Sequence, residues 1–120
     1  MNDDAVERLE ARLDAARRRL ADLRREHDAV VAASRDSNAD DEHDPEGATI
    51  AFERAQVDAL TAATRAELAR LEQARSRVDD GTYGRCETCG EPIGDERLEA
   101  RPGATRCVRC EALSGRRPPR

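Results

Sequence analysis

The sequence predicts a mainly α protein: a long antiparallel helical hairpin (coiled coil) followed by a small module built around four cysteines, with a short C-terminal helix. Three observations carry this. Apolar residues recur at helical spacing over two stretches of similar length, and all four cysteines follow residue 85 as two CxxC pairs. Charged residues make up 39% of the chain, with one Tyr, one Phe and no Trp, which leaves too little apolar bulk for a thick globular core. The expected organisation is a hairpin over residues 1–80 with an acidic tip at 34–46, a cysteine module at 81–114, and a disordered basic tail at 115–120.

The first helix is read from a strict alternation of three- and four-residue steps through Val6, Leu9, Leu13, Ala16, Leu20, Leu23, His27 and Val30. Written as heptads, these are the a and d positions of a coiled-coil seam, with His27 as a seam residue. The intervening Arg, Glu and Asp suit a solvated face. A second stripe runs through Ile50, Val57, Leu60, Thr64, Leu68, Leu71, Ala74 and Val78, with two four-residue steps in a row around Thr64. Asp44 before Pro45 is a favourable helix start, Thr49 offers a second cap, and Gly81 ends the helix. Helices over 4–33 and 47–79 would measure roughly 45 and 50 Å at about 1.5 Å per residue. Neither can bury its stripe alone. Matched lengths and an interrupting loop favour an antiparallel hairpin in a monomer over a parallel dimeric coil. In that pairing Val30 and Val31 would lie near Phe52, and Val6 would meet Val78.

Charge narrows the function. All 21 basic residues are arginine and the net charge is −5, yet residues 34–46 alone hold one Arg against six acidic residues. Phosphate-backbone binding calls for an overall basic face, so specific DNA binding is not expected, and the acidic segment points to a cationic target. The stretch Met1-Asn2-Asp3-Asp4 lacks the features of a secretory signal, and the longest apolar run, Ala29 to Ala33, is far too short to span a bilayer. A cytoplasmic protein without a membrane role is expected. No nucleophile, base and orienting group can be assembled, so no enzyme activity is expected. His43, beside Asp44 in the loop, is read as a solvated residue.

The cysteines Cys86, Cys89, Cys107 and Cys110 form two CxxC pairs separated by seventeen residues. Four thiolates at that spacing make a closed tetrahedral shell for one structural Zn²⁺, with iron as the alternative occupant. A thioredoxin-like redox pair would need a strand–helix–strand context that is missing, and a reducing compartment disfavours disulfides. Gly90, just after the second cysteine, sits where the knuckle needs a tight turn. Between the pairs, Pro92-Ile93-Gly94 reads as a turn and Arg97-Leu98-Glu99-Ala100 as a short strand of a small hairpin. The second pair opens a helix through Leu113. Arg85, Arg106 and Arg109 neighbour ligands and would offset the negative cluster. Tyr83, Ile93, Leu98, Val108 and Leu113 are too few to fold this piece unaided, so metal binding would supply much of its folding free energy.

The stretch YGRCETCGEPIGDERLEARPGATRCVRC, residues 83–110, resembles the DksA/TraR family of bacterial RNA polymerase-binding regulators, and the preceding hairpin resembles that family in layout. The resemblance implies a transcription regulator that does not itself bind DNA. Its coiled coil would enter the polymerase's secondary channel and bring tip carboxylates toward the catalytic Mg²⁺ region to modulate initiation, in some members with the alarmone ppGpp in the stringent response. The corresponding tip residues here are Asp40, Asp41, Glu42, Asp44 and Glu46; Asp44 takes the first place of the family's D-x-x-D-x-A pattern, and Gly47 stands at the second. Arg70 and Arg101 keep the basic character of the family's ppGpp contacts, while Glu111 replaces a lysine. A zinc-ribbon interaction protein or nucleic-acid binder, using the basic C-terminal segment with Arg116 and Arg117, is the competing reading.

Overall fold

The computed structural model describes residues 3–36 and 45–114. The tip residues Asp40, Asp41, Glu42 and Asp44, together with His43 and the tail at 115–120, lie outside the described residues; Glu46 is described only as backbone in the first turn of a helix. In chain order the elements are α1 (Asp3–Asp36), α2 (Pro45–Asp80), α3 (Asp95–Ala100) and α4 (Val108–Ser114). Among the described residues the only β pairing is an isolated antiparallel bridge between Arg85 and Pro92. No described helix is long and apolar enough to cross a membrane.

The chain divides into two compact units, one formed by the residues up to Ala15 with those from Glu67 onward, the other by Ala16–Ala66. In the first unit, Arg12 meets Glu67 at 2.9 Å and Arg75 meets Glu10 at 3.3 Å. A residue further along α1 therefore pairs with one earlier along α2, which is the antiparallel sense. Both pairs are partly exposed and screened by solvent, so they serve register more than stability. In the second unit His27 approaches Asp58 at 3.9 Å in the same sense.

The seam of α1 follows the heptad reading. Leu9, Leu13, Ala16, Leu20 and Leu23 are all buried, and His27 and Val30 are half-buried. At the helix start, Ala5 is buried while Val6 is half-buried, as is Val78 on α2. The seam of α2 differs from the sequence reading at two places. Leu60 is 43% exposed, and the residues facing inward are Val57, Thr61 and Thr64, followed by Leu68 and Leu71. That path restores alternating four- and three-residue steps, so the apparent irregularity arose because a half-buried threonine was passed over for an exposed leucine. Phe52, expected near Val30 and Val31, is 64% exposed, so most of its ring faces solvent. At about 100° per residue it lies roughly 200° around the helix from Ile50, off the stripe.

The end of α2 is set by a paired hydrogen-bond motif. Gly81, at φ 79°, donates its N–H to Val78 O at 3.1 Å, and Thr82 donates to Arg77 O at 2.9 Å. This is the Schellman arrangement, whose left-handed position suits glycine because a Cβ would crowd the following carbonyl.

Residues 97–100, expected as a strand, are instead the body of α3. Asp95 and Glu96 fall in the first turn, where carboxylates favour the helix dipole, and Arg97, Leu98 and Ala100 are strong helix formers. Leu98 buries its side chain, and Pro102 stops the helix by disfavouring helical backbone at Arg101. Val108 and Leu113, counted as core candidates, are each 63% exposed. The small core consists of Tyr83, Ile93, Leu98 and Pro102 with Cys86 and Cys110.

The burial pattern predicts an asymmetry between two leucines. Leu9, fully inaccessible to solvent, should lose about 2–5 kcal/mol of stability as Leu9→Ala, whereas Leu60→Ala should stay within about 0.5 kcal/mol. Denaturant unfolding followed by helical circular dichroism checks this; equal losses would restore Leu60 to the seam.

Candidate metal centre

The centre is assembled from two short segments with different supports. The first follows the end of α2: Tyr83 is buried and donates its hydroxyl to Pro102 O at 2.9 Å, tying the entry of the first knuckle to the loop after α3. Desolvation raises the Tyr83 pKa, so the phenol stays protonated and serves as a donor. The Arg85–Pro92 bridge then closes the knuckle, with Cys86 N–H donating to Glu91 O at 2.8 Å and Ile93 N–H to Gly84 O at 2.8 Å. Gly90, at φ 77°, donates to Cys86 O at 2.9 Å and makes the tight turn its position required. The second segment is the start of α4, where Glu111 N–H donates to Cys107 O at 2.9 Å.

These supports bring the four sulfurs of Cys86, Cys89, Cys107 and Cys110 within 4.8 Å of one another, and all four cysteines are free. Cys89 Sγ and Cys107 Sγ are 3.9 Å apart. Four sulfurs held at about 2.3 Å from one tetrahedral ion stand about 3.8 Å from each other, so the donor set and its spacing fit Zn²⁺.

The electrostatics point the same way. Burial would push the Cys86 thiol up, but N–H donors from Cys107, Cys89 and Thr88 outweigh it and bring the group down to about 5. The Cys110 N–H lowers Cys107, overcoming burial. Cys110 moves oppositely, to about 12, through its hydrogen bond with Cys107 and through burial. The cluster thus prepares thiolates but resists carrying every charge at once. A divalent cation removes that resistance. The thiolate-directed donors are backbone groups: Thr88 N–H and Cys89 N–H reach Cys86 Sγ at 3.4 and 3.5 Å, and Cys110 N–H reaches Cys107 Sγ at 3.5 Å.

The arginines expected to offset the cluster have other work. Arg85 donates to Gly90 O at 3.3 Å, Arg106 pairs with Glu87 at 3.0 Å, and Arg109 is exposed. The sequence reading missed Arg77 and Glu87. Arg77 lies four residues before Gly81, and although Gly81 reads as the helix end, the helical pattern does not show that the turn there carries the chain back across the Arg77 guanidinium. Glu87 was visible as the residue after a ligand.

Arg70 and Arg101 come together with Arg12 and Arg97 along a cleft of about 460 Å³, whose other charged residues are Glu67 and Glu111. Arg12 is paired with Glu67, and Arg97 donates to Arg106 O at 2.8 Å. Arg70 and Arg101 form no ion pair among the described residues. Periodicity alone could not have brought Arg12 into this group.

Comparison with known proteins follows the same division. Residues 81–114 match the family described as prokaryotic dksA/traR C4-type zinc finger. The RNA polymerase-binding transcription factor DksA of Caulobacter vibrioides is 52% identical over 50 residues, covering 42% of this chain and 35% of that protein. DksA of Escherichia coli is 44% identical over 45 residues, covering 38% and 30%. The matched stretch therefore spans about a third of these curated relatives. The structure of transcription factor DksA2 from Pseudomonas aeruginosa aligns over 91% of this chain and 84% of its own at 25% identity, with a TM-score of 0.58. The likeness thus extends beyond the cysteine module in fold, and in sequence it is concentrated there: residues 81–114 are similar to the C4-type zinc finger of the dksA/traR proteins.

Proposed function

We propose that this protein is a transcription regulator that binds RNA polymerase. The observation that carries the reading is that the DksA2 fold match covers 91% of the chain, so helices α1 and α2 accompany the dksA/traR finger as they do in that transcription factor. The relatives' names are those of binding factors, which agrees with a non-catalytic role. In this reading the coiled coil enters the secondary channel, and Asp40, Asp41, Glu42, Asp44 and Glu46 supply carboxylates that perturb initiation there. Clustered acid steers such an element into a basic channel.

Cys86, Cys89, Cys107 and Cys110 hold one Zn²⁺ as a structural ion. The residues in the cleft extend the reading to ppGpp: Arg70 and Arg101, unpaired among the described residues, would take its phosphates as charge-assisted acceptors. Glu111 on the same cleft would oppose an anion, an effect reduced by its pairing with Arg106 at 3.6 Å.

Purified polymerase should retain the wild-type chain in a pull-down, less so as salt rises. A variant with Asp40, Asp41, Glu42 and Asp44 changed to Ala should lose its effect on in vitro transcription. Absence of wild-type binding would overturn the proposal.

Metal analysis should give one zinc per chain. Chelation or Cys107→Ser should abolish hydrogen-exchange protection in residues 83–113 while most helical circular dichroism persists. Titration of ppGpp in the presence of polymerase should show affinity falling by about tenfold or more in Arg70→Ala/Arg101→Ala, as loss of two charge-assisted contacts implies; an unchanged affinity would remove the cleft from the reading.

A further inference from the structure

We propose that Glu87 is a positioning residue that joins the two metal-binding knuckles to the last turn of α2, so that holding the metal and seating that turn are a single event. The inference rests on the reading that the four cysteines bind zinc.

Glu87 lies between Cys86 and Cys89, yet its contacts run elsewhere. Its N–H donates to Thr105 O at 2.8 Å, and its carboxylate accepts from Thr105 Oγ1 at 3.3 Å and from Arg106 Nε at 3.0 Å. Residues 105 and 106 lead directly into Cys107. The first knuckle therefore grips the approach to the second through one residue. Arg106 is anchored in turn: Nη1 donates to Ser114 Oγ at 2.7 Å, and its carbonyl accepts from Arg97 Nε at 2.8 Å.

The other carboxylate oxygen of Glu87 faces Arg77, with Arg77 Nη1 at 3.8 Å. The Arg77 side chain is only 17% exposed. Its Nη2 donates to Thr82 O at 3.1 Å and to Arg85 O, while its own carbonyl accepts from Thr82 N–H at 2.9 Å and Tyr83 N–H at 3.0 Å. One residue of α2 thus holds the whole path from the helix end to the residue before Cys86. A guanidinium buried to this degree needs a counter-charge, and Glu87 is the carboxylate it approaches.

Among the described residues, Glu87 is the carboxylate paired with both Arg77 and Arg106. A carboxylate beside a negative thiolate cluster is otherwise unfavourable, and the two guanidiniums balance it. Its removal should loosen both knuckles relative to each other and leave Arg77 without its counter-charge.

The test compares zinc-loaded wild type, Glu87→Gln, Arg77→Lys and the control Glu91→Gln, whose side chain takes no part in these contacts. Transfer of zinc to a chromophoric chelator should be about 10–100-fold more favourable for Glu87→Gln, intermediate for Arg77→Lys and unchanged for the control. The zinc-loaded Glu87→Gln protein should also exchange its Thr82 and Tyr83 amide hydrogens faster, a readout at the helix end rather than at the metal. Cobalt-substituted spectra should retain the tetrahedral thiolate bands in Glu87→Gln, showing that the ligands themselves are intact. Wild-type-like zinc transfer and amide exchange in both Glu87→Gln and Arg77→Lys would overturn the proposal while leaving the metal reading in place. A wild-type chain that takes up no zinc would overturn both.

Discussion

Seventeen residues separate Cys89 from Cys107, and the arrangement of residues 81–114 depends on bringing those two sulfurs to 3.9 Å. Four buried apolar side chains, Tyr83, Ile93, Leu98 and Pro102, are far too few to hold such a loop closed through burial alone. Directed interactions fill the gap: the Arg85–Pro92 bridge, the Tyr83–Pro102 hydrogen bond and the Glu87–Thr105 backbone contact each span a part of the loop. They fix the approach of the knuckles without neutralising them. Against burial, hydrogen bonds from backbone N–H groups lower Cys86, while the bond with Cys107 and burial raise Cys110, so the four thiols do not favour ionising together on their own. A cation completes what the hydrogen bonds begin.

The helices solve a different problem with weaker means. Each has one apolar stripe, and within each unit the partner helix supplies the cover. The α1 seam was legible because Leu9, Leu13, Leu20 and Leu23 are large, apolar and regularly spaced. The α2 seam was misread where chemistry and position part: Thr61 faces inward, whereas Leu60 and Phe52 are exposed. A pattern that selects residues by hydrophobicity must fail there. Threonine can occupy a narrow seam because it is small and its hydroxyl can bond to the backbone one turn earlier, properties that a hydropathy scale does not register.

The site was legible to a similar degree, for similar reasons. Cysteine spacing announces a metal cluster because few other uses require two CxxC pairs in a reducing compartment. The strand expected at residues 97–100 failed because Leu98, alone between polar neighbours, fits either a strand or one turn of helix. Local charge decided it: Asp95 and Glu96 favour the N-terminus of α3, and Pro102 limits the helix from the other side. Arg77 was invisible for a deeper reason. On a helical wheel it is one more charged residue, and only the left-handed turn at Gly81 brings the chain back across its guanidinium.

Counting arginines by position therefore misleads, and the cleft beside α3 shows why. Four guanidiniums line it, which taken as a sum looks like a strongly basic surface. Arg12 is answered by Glu67, and Arg97 is spent on the carbonyl of Arg106, where it supports the second knuckle. Both are tied to the fold before any ligand arrives. Arg70 and Arg101 have no such ion pair among the described residues, while Glu111 is answered by Arg106 at 3.6 Å. Along this cleft Arg70 and Arg101 are thus the guanidiniums whose charge and donors no hydrogen bond or ion pair among the described residues already engages, which a count of arginines in the sequence does not distinguish.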